Sequence, residues 1–273
     1  MAWKKSPQEQ QMNDHDPRPL ILIVEDEKEL CRFIAGELSE KYNTAIAFNG
    51  AEAVEILKNR EVHMVVSDVV MPVMDGYELC NFIKGNLDYC HIPVILLTAT
   101  INLHARIEGL ESGADAYIEK PFTTELLLAQ ISNLFSNKEL ACESFMKSPL
   151  TNYKTVAINK MDKAFMKQLH GIIMKNLSEP ELSVDMVAGM MGMSVSTLYR
   201  KVKALTDLNT NEYIRLYRLK KAAEMLRSNE YRVNEVSYLA GFSSSSYFAT
   251  SFQKQFGMTP TEFIKKQRVR SEE

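Results

Sequence analysis

From Leu20 onward the chain alternates short apolar runs with stretches whose apolar residues recur every three or four positions. The runs LILIV, TAIAF, MVVS, PVILLTA and AYIEK have strand length. Each is followed by a helical pattern: Leu30, Phe33, Ile34 and Leu38; Ala53, Val54 and Leu57; Tyr77, Leu79, Phe82 and Ile83; Ile107 and Leu110; Leu126, Leu127, Ile131 and Leu134. Runs that stay apolar suit strands buried on both faces, and strict alternation of strand with helix predicts a parallel sheet covered by helices on each side. Ligands bind such sheets beyond the C-terminal ends of the strands. The residues that close the runs are therefore the candidates for chemistry: Glu25 and Asp26, Asp68, Thr98 and Lys120.

Beyond this region the pattern becomes helical throughout, with an internal echo. SVDMVAGMMGMSVSTLYRKV, starting at Ser183, resembles RVNEVSYLAGFSSSSYFATSF, starting at Arg232. Val187 matches Val236, Gly192 matches Gly241 and Ser194 matches Ser243; with one residue inserted in the second copy, Leu198 matches Phe248 and Val202 matches Phe252. Each copy reads as a short helix, a turn through Gly, a Ser cap and a second helix, which is the helix-turn-helix pattern. Between the copies Ile214, Tyr217, Ala222 and Leu226 share one face of a long connecting helix. Leu198, Val202, Phe248 and Phe252 are expected in the core, as are Met186, Met190, Met191 and Met193. The organisation is thus a disordered tail at 1–19, a sheet domain at 20–136, a linker at 137–160 that contains Pro149 and is expected to start as a helical extension of the last helix of the sheet domain, a helical domain at 161–268 and a tail at 269–273.

The length of 273 residues accommodates two cores. The four cysteines, Cys31, Cys80, Cys90 and Cys142, are scattered without paired spacing and read as reduced thiols rather than disulfides or zinc ligands. There is no apolar run long enough for a bilayer and no secretory leader, so a cytoplasmic protein without membrane contact is expected. Charge sharpens the division into two parts. Residues 20–136 hold 8 Lys and Arg against 18 Asp and Glu, whereas residues 160–273 hold 18 against 12. A basic second half suits a polyanionic partner such as DNA, and an acidic first half suits a cation.

Glu25, Asp26 and Asp68 at one sheet edge repel one another unless a cation sits among them, and oxygen donors suit Mg2+. With Mg2+ bound, Asp68 reads as a nucleophile that accepts a phosphoryl group. Lys120 would pair with the phosphoryl oxygens, the Thr98 hydroxyl would bond one of them, and Tyr117 would change exposure as Thr98 shifts. Together LILIVEDE, SDVVMPVMDGYEL, ILLTA and YIEKPF resemble the receiver domain of two-component response regulators. The resemblance implies a flavodoxin-like, doubly wound sheet in the order 2-1-3-4-5 and phosphorylation of Asp68 by a histidine kinase. It also implies Mg2+ held by Asp26, Asp68 and the backbone carbonyl of Val70, with Glu25 reaching the metal through water, and a cis peptide after Lys120.

In the basic half the first candidate recognition helix begins near Ser194 and carries Ser196, Thr197, Tyr199, Arg200, Lys201 and Lys203. Arg200 is the candidate for a guanine edge, and Lys201 and Lys203 for phosphates. The second helix offers Ser245, Ser246, Ala249 and Thr250, with Lys254 in reach of the backbone. AGMMGMSVSTLYRKVKAL, RLKKAAEML and LAGFSSSSYFATSFQKQFGMTPTEF resemble the DNA-binding domain of AraC-family regulators, which implies two recognition helices in successive major grooves. The combined expectation is a transcription regulator, not an enzyme, that dimerises on phosphorylation through the helix containing Ile107 and Leu110, the fifth strand and the helix after it. Two other readings remain open: an aspartyl-phosphatase-like enzyme, and a DNA-binding regulator indifferent to phosphorylation. The receiver-then-AraC arrangement also occurs at the C-terminal end of hybrid two-component sensors.

Overall fold

A computed structural model describes residues 16–99, 113–150 and 159–271, the side chains of 268–271 excepted. The expected helix at Ile107 and Leu110 lies outside the described residues, as do most of the N-terminal tail and residues 151–158 of the expected linker. By internal contacts the chain divides into two units. One comprises residues up to Lys84 together with Ile92–Gln130; the other comprises Gly85–His91 and everything from Ile131.

The first unit is a five-stranded parallel sheet in the order β2-β1-β3-β4-β5. Its strands are β1 (Leu20–Val24), β2 (Asn43–Ala47), β3 (Met64–Asp68), β4 (Val94–Thr98) and β5 (Ala116–Glu119). The central strands β1 and β3 are buried at every residue, while the edge strands β2 and β5 alternate. That is the burial expected when helices cover both faces. The helices α1 (Lys28–Leu38), α2 (Gly50–Asn59) and α3 (Gly76–Gly85) each turn one apolar stripe to the sheet, for example Cys31, Ile34 and Leu38 of α1. The domain starts slightly earlier than its apolar pattern: Asn43 N–H donates to the Pro19 carbonyl, and the Arg18 guanidinium donates to the Ser39 carbonyl.

The second unit is helical, with α4 (Thr124–Lys147), α5 (Lys160–Lys175), α6 (Val184–Met191), α7 (Val195–Thr206), α8 (Thr210–Ser228), α9 (Val233–Leu239), α10 (Ser245–Phe256) and α11 (Pro260–Ser271). Its share of α4 starts at Ile131. The boundaries are set by local chemistry: Asn159, Ser183, Ser194, Asn209 and Ser244 cap five of these helices with side-chain oxygens, and Asn209 forms a capping box with Glu212. The two helix-turn-helix pairs are α6–α7 and α9–α10. The second pair is capped at Ser244, not Ser243, so the extra residue lies in the turn before the helix.

The connecting helix α8 is buried on more than the one face its pattern suggests. Tyr213, Leu216, Leu219 and Ala223 are buried along with Ile214, Tyr217, Ala222 and Leu226, which makes α8 the hub of this core. Leu198, Val202, Phe248 and Phe252 are fully buried as expected, and Phe252 packs edge-on against Phe248, Phe256 and Phe263 at 4.9–5.7 Å between centroids. The methionines divide: Met191 is buried, but Met186 and Met190 are exposed on the outer side of α6. Residues 137–147, the start of the expected linker, continue α4 as the helical extension expected there, and Cys142 and Phe145 in it are buried in the helical core.

Candidate functional site

Strand register assembles the first site. Val24 pairs with Ser67, Asp68 with Leu97, and Thr98 with Glu119, so all these strands end along one edge. Strand order reverses between β1 and β3, and the crevice there is the ligand position of an open parallel sheet. Glu25 and Asp26 follow β1 and Asp68 closes β3. One carboxylate oxygen from each lies within 4.8 Å of the others. Lys120, just after β5, brings Nζ to 2.7 Å from Glu25 Oε2 and 3.1 Å from Asp68 Oδ1.

Glu25 is 2% exposed, Asp68 is buried and Asp26 is open to solvent. Burial raises the Glu25 pKa above the ordinary carboxylate value, outweighing the hydrogen bond from Lys120. Burial acts to lower the Lys120 pKa, but the hydrogen bonds to Glu25 and Asp68 outweigh it and the ammonium is held above its ordinary value. Asp68 Oδ1 also accepts from the Val69 N–H at 2.8 Å, which holds the carboxylate in place. Thr98 and Tyr117 are half-buried on β4 and β5, and the Lys120 N–H donates to the Thr98 carbonyl. The Lys120–Pro121 peptide is cis.

The loop after Asp68 is tied at both ends. Gly76 N–H donates to the Val69 carbonyl and Gly50 N–H to the Met74 carbonyl. A Cβ at Gly76 would lie 2.1 Å from the Asp68 carbonyl oxygen, so α3 approaches the end of β3 this closely only with glycine there. Asp75 caps α3: it accepts from Glu78 N–H, and Glu78 accepts from Asp75 N–H. Val70 is exposed in this loop, and Val73 has a φ of 71°, closing a three-residue turn from Pro72 O to Met74 N–H.

Three carboxylates against one lysine leave a net negative, oxygen-lined crevice, the donor set of a hard divalent cation. The residues present fit Mg2+. Asp26 and Asp68 are the direct candidates, and Glu25, tied to Lys120, sits behind them.

The second site is on α7 and α10. On α7, Ser196, Tyr199, Arg200 and Lys203 are exposed at helical spacing and form one outward face, with Thr197 half-buried beside the cap. Arg200 is 65% exposed, its nearest carboxylate being Asp88 at 3.8 Å. Lys201 corrects the expectation. Its Nζ is 2.6 Å from Asp162 Oδ1, both side chains are 1% exposed, and it also donates to the Cys90 sulfur. The position falls on the inner face of α7, between Leu198 and Leu205, so Lys201 serves the core rather than a phosphate.

On α10, the cap at Ser244 places Ser246 opposite Ser196, Thr250 opposite Arg200 and Gln253 opposite Lys203. Ser246, Thr250 and Lys254 are exposed, though the Thr250 hydroxyl donates back to the Ser246 carbonyl. Ser245 is turned inward, its hydroxyl 2.8 Å from that of Ser237. Tyr247, undecided between core and DNA contact from the sequence, is exposed on the same helix, and Gln253, also exposed there, was missed as a candidate. The offset of 50 positions between the helices, once the cap is known, is the signal that picks out Gln253.

The sheet order with an acid cluster and lysine at its C-terminal edge defines a receiver-type signalling domain, and the paired helix-turn-helix units define a DNA-binding domain. Residues 21–132 match the family model for the response regulator receiver domain, and residues 187–266 match one for a helix-turn-helix domain. The chain thus carries a response regulator receiver domain followed by an AraC-type helix-turn-helix domain. It is 37% identical over 243 residues to Histidine kinase P4 of Formosa agariphila, covering 89% of this chain and 18% of that protein. It is 36% identical over 115 residues to response regulator MprA of a Mycobacterium species, covering 42% of this chain and 49% of the relative. The signal receiver domain of a signal transduction histidine kinase from Syntrophus aciditrophicus is 40% identical, with a TM-score of 0.42, covering 43% of this chain and 90% of that one. The chain spans less than half the length of both curated relatives. Among the described residues no helix is long and apolar enough to cross a membrane.

Proposed function

We propose that this chain is a phosphorylation-controlled, sequence-specific transcription regulator of the cytoplasm, acting by binding rather than as an enzyme. The observation that carries the reading is the crevice in which Glu25, Asp26 and Asp68 lie within 4.8 Å of one another with Lys120 3.1 Å from Asp68. The phosphoryl donor is a histidine kinase. An Asp68 carboxylate oxygen attacks phosphorus, an O–P bond forms, and the N–P bond to the donor imidazole breaks. Lys120 faces the incoming oxygens with a positive charge kept by its two carboxylate partners. Asp26, Asp68 and the Val70 carbonyl hold Mg2+, which when bound supplies charge neutralisation at the phosphoryl group. Thr98 and Tyr117 respond to the new phosphoryl group, and the shifted receiver favours a homodimer with two DNA-binding units.

On DNA, Arg200 reads a base edge from α7, with Ser196, Thr197 and Tyr199 beside it, and Lys203 takes a phosphate. The second helix contributes Ser246 and Thr250, with Lys254 at the backbone. The test is incubation with acetyl phosphate and Mg2+, followed by titration of DNA. Stoichiometric labelling of wild type, none of Asp68→Asn, and tighter DNA binding of the labelled form are expected. Many turnovers per chain would point instead to a phosphatase-like enzyme, and equal DNA affinity with and without label would remove phosphorylation control.

A further inference from the structure

Cys142, Phe145 and Met146 stand at i, i+3 and i+4 on the C-terminal part of α4, and so face one side of that helix. They lie in neither of the two segments that match a family model. Each touches a different part of the DNA-binding machinery. The Cys142 thiol donates to the Leu205 carbonyl at 3.4 Å, one residue before the end of α7. Gln255 Nε2, next to the last residue of α10, donates to the Met146 carbonyl at 3.1 Å. Between them Phe145 stacks on Tyr213 of α8 with centroids 5.9 Å apart, and Lys220 of α8 holds its ammonium 4.6 Å from the Phe145 ring centroid and donates to the Ser148 carbonyl.

One face of one helix therefore grips both recognition helices at their C-terminal ends, away from the Arg200 and Thr250 faces, and grips the helix that connects them. We propose that Cys142, Phe145 and Met146, with the Ser148 carbonyl, form a clamp that sets the spacing and angle between α7 and α10, so that Phe145 and Gln255 are positioning residues for two-groove recognition. This rests on the DNA-binding reading and extends it: the helix-turn-helix pair has its register on DNA set by a segment outside the pair. A rigid double reader binds two motifs at one spacing and loses the second when the spacing changes, whereas loosely held readers tolerate the change.

The experiment uses the full chain to select duplexes from a random-sequence pool, then measures binding to the selected duplex, to the same duplex with two base pairs inserted between its motifs, and to its first motif alone. Wild type is expected to select two motifs and to lose about tenfold or more in affinity on insertion. In Gln255→Met, of similar length, that loss should shrink to about threefold or less with first-motif affinity and melting temperature unchanged, and in Phe145→Leu it should shrink as far, with first-motif affinity unchanged and the melting temperature lowered by the lost core contacts but still above the binding temperature. Lys147→Ala, on the outer side of the same helix, should behave as wild type. Unchanged discrimination in the two variants, an equal fall on all duplexes, or a single selected motif overturns the clamp. Absence of any enrichment overturns the DNA-binding reading instead. If Phe145→Leu melts early, Gln255→Met alone decides.

Discussion

The Lys201 ammonium lies 2.6 Å from the Asp162 carboxylate, with both side chains 1% exposed, inside the helical core and one residue along from the exposed Arg200. Adjacent cations on one helix thus do opposite things. Asp162 is held in turn by Asn159, whose Nδ2 donates to Asp162 Oδ2 at 2.7 Å.

Removing one partner of this pair leaves an uncompensated buried charge. Lys201→Ala is expected to destabilise the helical unit by about 3–5 kcal/mol, while Arg200→Ala changes stability by about 0.5 kcal/mol or less and weakens DNA binding. Lys201→Met combined with Asp162→Asn should recover much of the lost stability. Denaturant melts of all four proteins check this, and a destabilised Arg200→Ala would count against the assignment.

Gly76 sets how closely α3 approaches Asp68. Gly76→Ala places a Cβ where only 2.1 Å separates it from the Asp68 carbonyl oxygen, so the end of β3 or the start of α3 must shift. Labelling by acetyl phosphate should fall at least about tenfold, since reacting groups displaced by an ångström lose rates of that order or more. Gly85→Ala, at the other end of the same helix with nothing within 4 Å of its Cβ, is the control and should label normally.

Val73 is a β-branched residue in the left-handed region, at φ 71°, with its side chain in solvent. Nothing there requires the branched side chain. Val73→Gly should raise stability by about 1 kcal/mol by removing the steric penalty, less whatever the unfolded chain gains in freedom. A chevron or equilibrium melt showing a loss would contradict this account of the loop.

His170 is buried, 2.5 Å from the Tyr213 hydroxyl and stacked near Tyr217, and burial together with the Lys221 charge brings its pKa down to about 3. The unfolded imidazole titrates near 6.5, so between those values the unfolded state binds the extra proton. This contribution to stability is whole above about pH 6.5 and is lost as the pH falls toward 3, by about 1.4 kcal/mol per unit. His170→Phe should flatten that slope in guanidinium melts from pH 7 to pH 4. An unchanged slope would assign the acid sensitivity to other groups.

The acidic site at the sheet edge was legible because its residues announce themselves locally. Asp68 and Lys120 each close an apolar run, and in a parallel sheet the ends of such runs come together at one edge whatever the details of packing. The core of the helix-turn-helix pair was legible for a similar reason, since Val187, Leu198, Phe248 and Phe252 recur with the period of a helix. Tertiary packing overrode the pattern where a residue's partner is remote. Lys201 looked like one more cation on a basic helix, and Met186 and Met190 like core.

The sequence by itself determined the alternation of strands and helices, the carboxylates and lysine at the strand ends, and the two capped recognition helices, because periodicity, caps and turns act within a few residues. Only the tertiary structure decided that Lys201 is neutralised by Asp162, that Ser245 faces Ser237, and that Cys142, Phe145 and Met146 join α4 to α7, α8 and α10. Whether a polar or apolar side chain ends in solvent or in the core depends on what long-range packing brings against it, and burial of a charge is tolerated only where a partner far along the chain meets it.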